Sequence, residues 1–272
     1  MANKLTLIVW FAEVLKNNLK LLGKILMRFT IQQKWERYVK NDLKLKYGLQ
    51  WVDLLEIAPD LDETIQSFSF LDGTSRVIDI ALLKSIAKKF IPCTYLEIGS
   101  WRGESLLNIA EIAKEAVSIS LSPEEMRALN FPEDVIAVEG IFLNNKTNIT
   151  RIGHNSLRFD FSALDKKFDL IFVDGDHSYE AVKSDTKNVF SLLKNESSVI
   201  VWHDCGTNYE DMRYEVVAGI LDGLPEEERR NVYRVSNTLC GVYTKKSHPV
   251  LSESGSSVPN KKFQVKIKSE KI

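Results

Sequence analysis

Three observations predict an α/β fold in which a mostly parallel sheet is doubly wound by helices. The runs Tyr95–Ile98, Phe168–Val173 and Val199–Trp202 are of strand length and almost continuously apolar, as expected where helices cover both faces of a sheet. Between such runs lie segments with apolar residues at helical spacing. Strand and helix then alternate along the middle of the chain, the order that builds parallel sheets.

The elements follow in order. From Asp79 to Phe90, the positions Ile80, Leu82, Leu83, Ile86 and Ala87 have helical spacing, and Pro92 stops that helix. A first strand runs from Thr94 to Ile98, and a helix from Glu104 to about Ala113. Ala116–Ser120 is a short β-rich run, and Ser122-Pro123-Glu124-Glu125 opens a helix with proline in its first turn. Val135–Val138 and Ile149–Ile152 both read as strands, with polar Asn144-Asn145-Lys146 between them. Phe168–Asp174 is the clearest strand, followed by a helix over 179–193 with Val182, Val189, Phe190 and Leu193 facing inward. Val199–Trp202 ends at His203-Asp204. Tyr233–Val235 and Gly241–Tyr243 read as an antiparallel hairpin. The segment 245–262 is rich in Ser, Lys and Pro and reads as a linker, after which Phe263, Val265 and Ile267 alternate as in a last short strand. The chain divides into an N-terminal helical extension over 1–69, a main domain over 70–245 and a C-terminal tail over 246–272. Trp51, Phe68, Phe70 and Leu71-Asp72-Gly73 are candidates for a lid or for ordinary core.

A length of 272 residues, 44% hydrophobic and 27% charged, is ordinary for a globular protein. A net charge of -1 argues against a nucleic-acid binder that works by bulk charge. Cys93, Cys205 and Cys240 lie far apart without CxxC spacing. That pattern fits unpaired thiols in a reducing, cytoplasmic compartment better than a disulfide framework or a zinc site. Residues 1–40 hold eight Lys or Arg against two Glu, and Lys16, Lys20, Lys24 and Arg28 would form one stripe on a helix. Two readings stay open for that stripe: a helix packed on the core or on a second subunit, or a peripheral contact with anionic lipid at the inner membrane surface. The apolar run Leu5–Phe11 is too short to span a bilayer.

Chemistry concentrates where the strands end. Glu97-Ile98-Gly99-Ser100-Trp101-Arg102-Gly103-Glu104-Ser105 stops a strand at an acid and turns tightly on glycine before opening a helix. Such a turn suits a cofactor carrying both a carboxylate and hydroxyls. The spacing is GxxxG, and a dinucleotide site needs GxGxxG, which counts against a nicotinamide oxidoreductase. Other strand ends carry Ser120, Asn155-Ser156, Asp174 to His177, and His203-Asp204; His154, His177 and His203 all fall in or beside this set. Asp174, His203 and Asp204 are donors of the kind that hold a divalent ion. His177 belongs to the residue type whose free side chain changes charge nearest neutral pH, and it is placed to accept a proton. Taken singly, Asp174 and Asp176 would be read as helix caps and His203 as a hydrogen-bonded edge residue. Their convergence favours a site.

LEIGSWRGES, FDLIFVDGDHSYEAVKSD and VIVWHD, in that order, resemble the class I S-adenosylmethionine-dependent methyltransferases. The branch is the small-molecule and sugar O-methyltransferase type, related to catechol and macrocin O-methyltransferases and to the cephalosporin hydroxylase group. The resemblance covers about residues 70–245 and implies a Rossmann-like fold with S-adenosyl-L-methionine as cofactor. It implies that Glu97, Gly99, Ser100, Trp101 and Gly103 surround the methionine part, with Ser105 near its carboxylate. Ser120 stands where the family has an acid on the ribose hydroxyls, and Asn155 and Ser156 would lie beside the adenine. Asp174 would begin the catalytic turn and His177 would be the catalytic base. Asp174, His203 and Asp204 would hold magnesium, although the family has Asp or Glu where this chain has His203. The implied reaction is O-methylation of a small molecule or saccharide, with the oxyanion supplied either through His177 or by a metal-bound hydroxyl. The alternative is a cofactor-binding partner subunit that transfers no methyl group. A homo-oligomer is compatible with either.

Overall fold

The computed structural model describes residues 14, 18, 23, 27, 29–143, 146–251 and 259–271. Among these, the strands are β1 (Gln50–Val52), β2 (Thr94–Ile98), β3 (Glu115–Ser120), β4 (Ile149–Gly153), β5 (Leu170–Val173), β6 (Val199–Trp202), β7 (Val232–Val235) and β8 (Gly241–Tyr243). They form one sheet in the order β1-β7-β8-β6-β5-β2-β3-β4. Strand β8 is antiparallel to both of its neighbours, and every other pairing is parallel. The doubly wound α/β architecture with a C-terminal antiparallel hairpin is therefore present.

Helices α1 (Leu54–Ile57), α2 (Val77–Ala87), α3 (Glu104–Ala110), α4 (Pro123–Ala128), α5 (Glu133–Ala137), α6 (Tyr179–Phe190) and α7 (Tyr214–Gly223) connect the strands. The central strands are buried on both faces: Leu170, Ile171 and Phe172 are fully covered, as are Ile200, Val201 and Trp202. Each such side chain contributes about 1.5–3 kcal/mol. Two core clusters, one on each face, result from this. Helix α4 begins as its sequence requires: the Ser122 hydroxyl accepts from Glu125 N while the Glu125 carboxylate accepts from Ser122 N, with Pro123 at the first helical position.

Several expectations are corrected. Residues 133–137 form α5, because Pro132 and the acidic pair Glu133-Asp134 start a helix where Val135–Val138 suggested a strand. Of the two readings of Trp51, ordinary core is the one met: it belongs to the sheet and is 6% exposed. Because β1 pairs with β7, the unit that begins at residue 70 in sequence takes its outer strand from the extension. The tail is not wholly a linker: Leu251 N donates to Trp51 O, and Val250 pairs with Val52, covering the edge of β1. Phe263, Val265 and Ile267 form no strand and are exposed.

From residue 29 the extension is helical, and it passes into a π-helical turn at Tyr38–Asp42. It packs on α6 and α7: Trp35 stacks on Tyr179 at 4.4 Å, and the hydroxyls of Tyr38 and Tyr179 both donate to Asp222. Lys16, Lys20, Lys24 and Arg28 lie outside the described residues, as do Asn144 and Asn145. No helix among the described residues is long and apolar enough to cross a membrane.

Candidate active site

The carboxyl ends of β2 and β5 meet at the point where the strand order reverses, and both halves of the sequence-read site come together there. Gly99 has φ +87°, and a Cβ on it would lie 2.3 Å from Asp174 O. Asp174 N donates to Ile98 O at 2.8 Å, which locks the two turns to one another. Only glycine allows this approach. Trp101 Nε1 donates to Val135 O, and the Arg102 guanidinium lies 4.1 Å over its ring. Arg102 also pairs with Glu104, which accepts from Ser69 N and Oγ. The loop carrying Phe68, Phe70 and Leu71 is thereby fastened beside the turn.

Some expected cofactor residues stand behind this turn and serve to build it. Glu97 is fully buried and accepts from the Tyr95 hydroxyl at 2.5 Å and from Ser105 Oγ at 2.6 Å. Burial raises its carboxyl to about 8 against the relief these donors give. The Ser105 hydroxyl is thus committed to Glu97, and Gly103 is the left-handed residue (φ +90°) that precedes α3 and packs on Leu143. Ser100 N donates to Ser120 Oγ at 2.7 Å, and the two hydroxyls lie 2.9 Å apart. Ser120 therefore ties β3 to the glycine turn.

In front lies a cleft of about 900 Å³. Among the sequence-read residues Gly99, Trp101, Ser120, Asn155, Ser156, Asp174 and His177 line it. Its apolar wall is made by Ile98, Ile119, Leu121, Met126, Phe131 and Val135. The size and the mix of an apolar wall with a few polar groups are those of a small-molecule site. Among the charged lining residues, Glu139, Arg213 and Glu215 were missed from sequence. Glu139, in the segment after α5, faces the same part of the cleft as Ser120 and is ion-paired with Arg151. Arg213, just before α7, lines the cleft as well.

The charged end is organised around His203, which is 7% exposed. Its Nε2 lies 3.0 Å from Asp79 Oδ2, and its Nδ1 lies 3.1 Å from Asp174 Oδ1. Burial opposes a charged ring, but the flanking carboxylates raise its pKa well above the ordinary value. Asp174 Oδ2 accepts from Ser75 Oγ at 2.7 Å. Asp79, wholly buried, also accepts from Arg76 N and Leu239 N. Beyond His203, Asp204 (φ +54°) accepts from His177 Nε2 at 3.0 Å and Arg213 at 3.3 Å. Burial would lift the Asp204 carboxyl, but the His177 hydrogen bond and the charges of His203, His177 and Arg213 hold it at about 2. Ser75 and Asp79 come from the start of α2, far from the strand-end motifs in sequence, and no local signal marks them.

The donor set does not fit the expected metal. Asp174, His177 and Asp204 bring one ligand atom each within 4.8 Å of the others, but His203 is not among them. Both its nitrogens point at carboxylates and leave no lone pair for a cation. Asp174 is already matched by His203, and Asp204 by Arg213 and His177. The cofactor fares better. The cleft offers an apolar wall for a purine, polar side chains at Ser120, Glu139, Asn155 and Ser156 for hydroxyls and ring edges, and a carboxylate at Asp174 in its lining.

Residues 96–205 match the model of a family described as "Methyltransferase domain". No curated protein matches the chain. Among solved structures, a Podospora anserina methyltransferase bound to S-adenosylhomocysteine is similar with TM-score 0.45 and 19% identity, over 66% of this chain and 83% of that one. An aminopentose methyltransferase of Micromonospora echinaspora bound to S-adenosylmethionine gives TM-score 0.34 and 15% identity, over 51% and 58%. The Bacillus subtilis protein YcgJ gives TM-score 0.34 and 15% identity, over 47% and 50%. The chain thus spans only about half the length of the last two. Residues 96–205, which carry all three motifs, are thus similar to a methyltransferase domain, consistent with the resemblance to the class I S-adenosylmethionine-dependent methyltransferases.

Proposed function

We propose that the protein methylates a hydroxyl of a small molecule or saccharide, with S-adenosylmethionine as the donor. One observation carries this reading: the glycine turn at Gly99 abuts Asp174, and His177 lines the same cleft with its ring fixed by Asp204.

Bound in the cleft, the cofactor supplies a sulfonium methyl group for in-line displacement. The chain's own residues do the rest. The apolar wall from Ile119 to Val135 takes the adenine, with Asn155 and Ser156 at its edge. Glu139 accepts from the ribose hydroxyls, the work that Ser120 cannot do alone because a single hydroxyl has no charge and few lone pairs. Asp174 adds a carboxylate to the cleft lining, where positive charge is held. His177 donates Nε2–H to the ionised Asp204, so its Nδ1 keeps the lone pair and takes the proton from the acceptor hydroxyl. Arg213 and His177 keep Asp204 in place as that charge moves. The pairing of base and orienting acid supports proton removal at His177 in preference to removal through an ion.

The basic N-terminal stripe supports a peripheral contact with anionic lipid, which would make lipid-linked saccharides accessible as acceptors. Sedimentation with anionic vesicles, with and without residues 1–28, tests that contact; equal sedimentation of both chains rejects it.

The test of the reaction is transfer of labelled methyl from S-adenosylmethionine to a panel of phenols and glycans, beside His177→Ala. Incorporation that depends on His177 supports the proposal. Cofactor binding without incorporation into any acceptor favours a partner subunit.

A further inference from the structure

We infer that this site excludes a divalent ion and uses the His203 side chain, a cation built into the fold, in its place. His203 stands where the resemblance calls for the first acidic ligand, and its surroundings suit a cation. Asp79 meets Nε2 at 3.0 Å, while Asp174 at 3.1 Å and Asp204 at 3.6 Å meet Nδ1, and both short bonds are saturated only when both nitrogens carry protons. Asp79 is braced from behind by Arg76 N and Leu239 N at 2.9 Å each, so the clamp is rigid. The other acid, Asp204, is matched by Arg213. Three carboxylates, Asp79, Asp174 and Asp204, face two fixed cations, His203 and Arg213. Asp174 and Asp204, the two acids a dication would use, thus already have partners of opposite charge in the fold, and neither is free to replace a metal's water.

His203 and Asp79 are positioning residues, acting through Asp174. The inference rests on the proposed methyl transfer only in saying what the site is for; the exclusion of a dication does not depend on it.

The test titrates Mn2+ into the full chain, followed by electron paramagnetic resonance, beside His203→Asp and the double variant His203→Asp with Asp79→Asn. Wild type is expected to bind no Mn2+ at micromolar concentration. The variants, with a third ligand acid and one cation fewer, are expected to bind it at least tenfold more tightly. Nitrogen-15 spectra of wild type at neutral pH should show both His203 ring nitrogens protonated. Micromolar Mn2+ binding by wild type that is lost in Asp174→Asn overturns the inference, as does a neutral His203 ring. Neither readout needs turnover, so failure to find an acceptor would count against the proposed reaction alone.

Discussion

The two sides of the cleft are held in place by different physics. Around β2 and β3 the cofactor side is built from neutral hydrogen bonds inside one stretch of chain: Ser100 to Ser120, and Ser105 and Tyr95 to a buried Glu97. Around β5 and β6 the other side is built from charged and polar groups gathered from afar, with Ser75 from before α2, Asp79 from its first turn, Arg213 from before α7, and Asp174, His177, His203 and Asp204 from the strand ends. The difference teaches that the first side is shape and the second is chemistry. Substitutions on the first should act on binding and stability, and those on the second on turnover.

The largest expected effect comes from His177→Ala. Turnover should fall by about 10²–10⁴-fold, with S-adenosylhomocysteine affinity changed less than about twofold, as measured by steady-state kinetics and calorimetry. A matching loss of affinity would erase the division between the two sides.

Next comes Glu97, which belongs to the shape side. Its folded pKa of about 8 lies above its ordinary 4.5. Its contribution to stability is therefore full below about 4.5 and is lost as pH rises through about 8, a change on the order of 5 kcal/mol. Chemical denaturation between pH 5 and 9 should show this slope in the wild type and a flatter one in Glu97→Gln. Identical slopes would show that Glu97 is not held neutral.

Gly99→Ala should cost roughly 1–3 kcal/mol in backbone strain alone, plus the displacement of Asp174 by the added methyl group. Both thermal stability and cofactor affinity should fall; an unchanged affinity would separate the turn from binding. The smallest effects compare two residues on one wall. Glu139→Gln should weaken S-adenosylhomocysteine binding by about tenfold to a hundredfold, the weight of a charge-assisted bond. Ser120→Ala should weaken it only by a few-fold. The reverse order would return the ribose to the strand end.

The same contrast explains what could be read in the sequence. The parallel core strands announced themselves through continuous apolar runs, and the glycine turn through residues that are neighbours in the chain. Asn155, Ser156, Asp174 and His177 were legible because strand ends of such sheets converge. Glu97 and Ser105 were placed correctly in sequence, but their side chains face each other behind the turn, a distinction of burial that a motif does not encode. His203 looked like a ligand because its partner Asp79 is 124 residues away. Glu139 was hidden in a segment whose β-branched residues suggested a strand, when the acids after Pro132 start a helix.

The central claim is that the Gly99 turn and the Asp174 turn together form a cofactor site. Calorimetric titration of S-adenosylhomocysteine into the full-length protein tests it most directly. Saturable binding of one ligand per chain, abolished or strongly weakened in Gly99→Ala and retained in His177→Ala, is the result expected. No binding by the folded wild-type protein would contradict it.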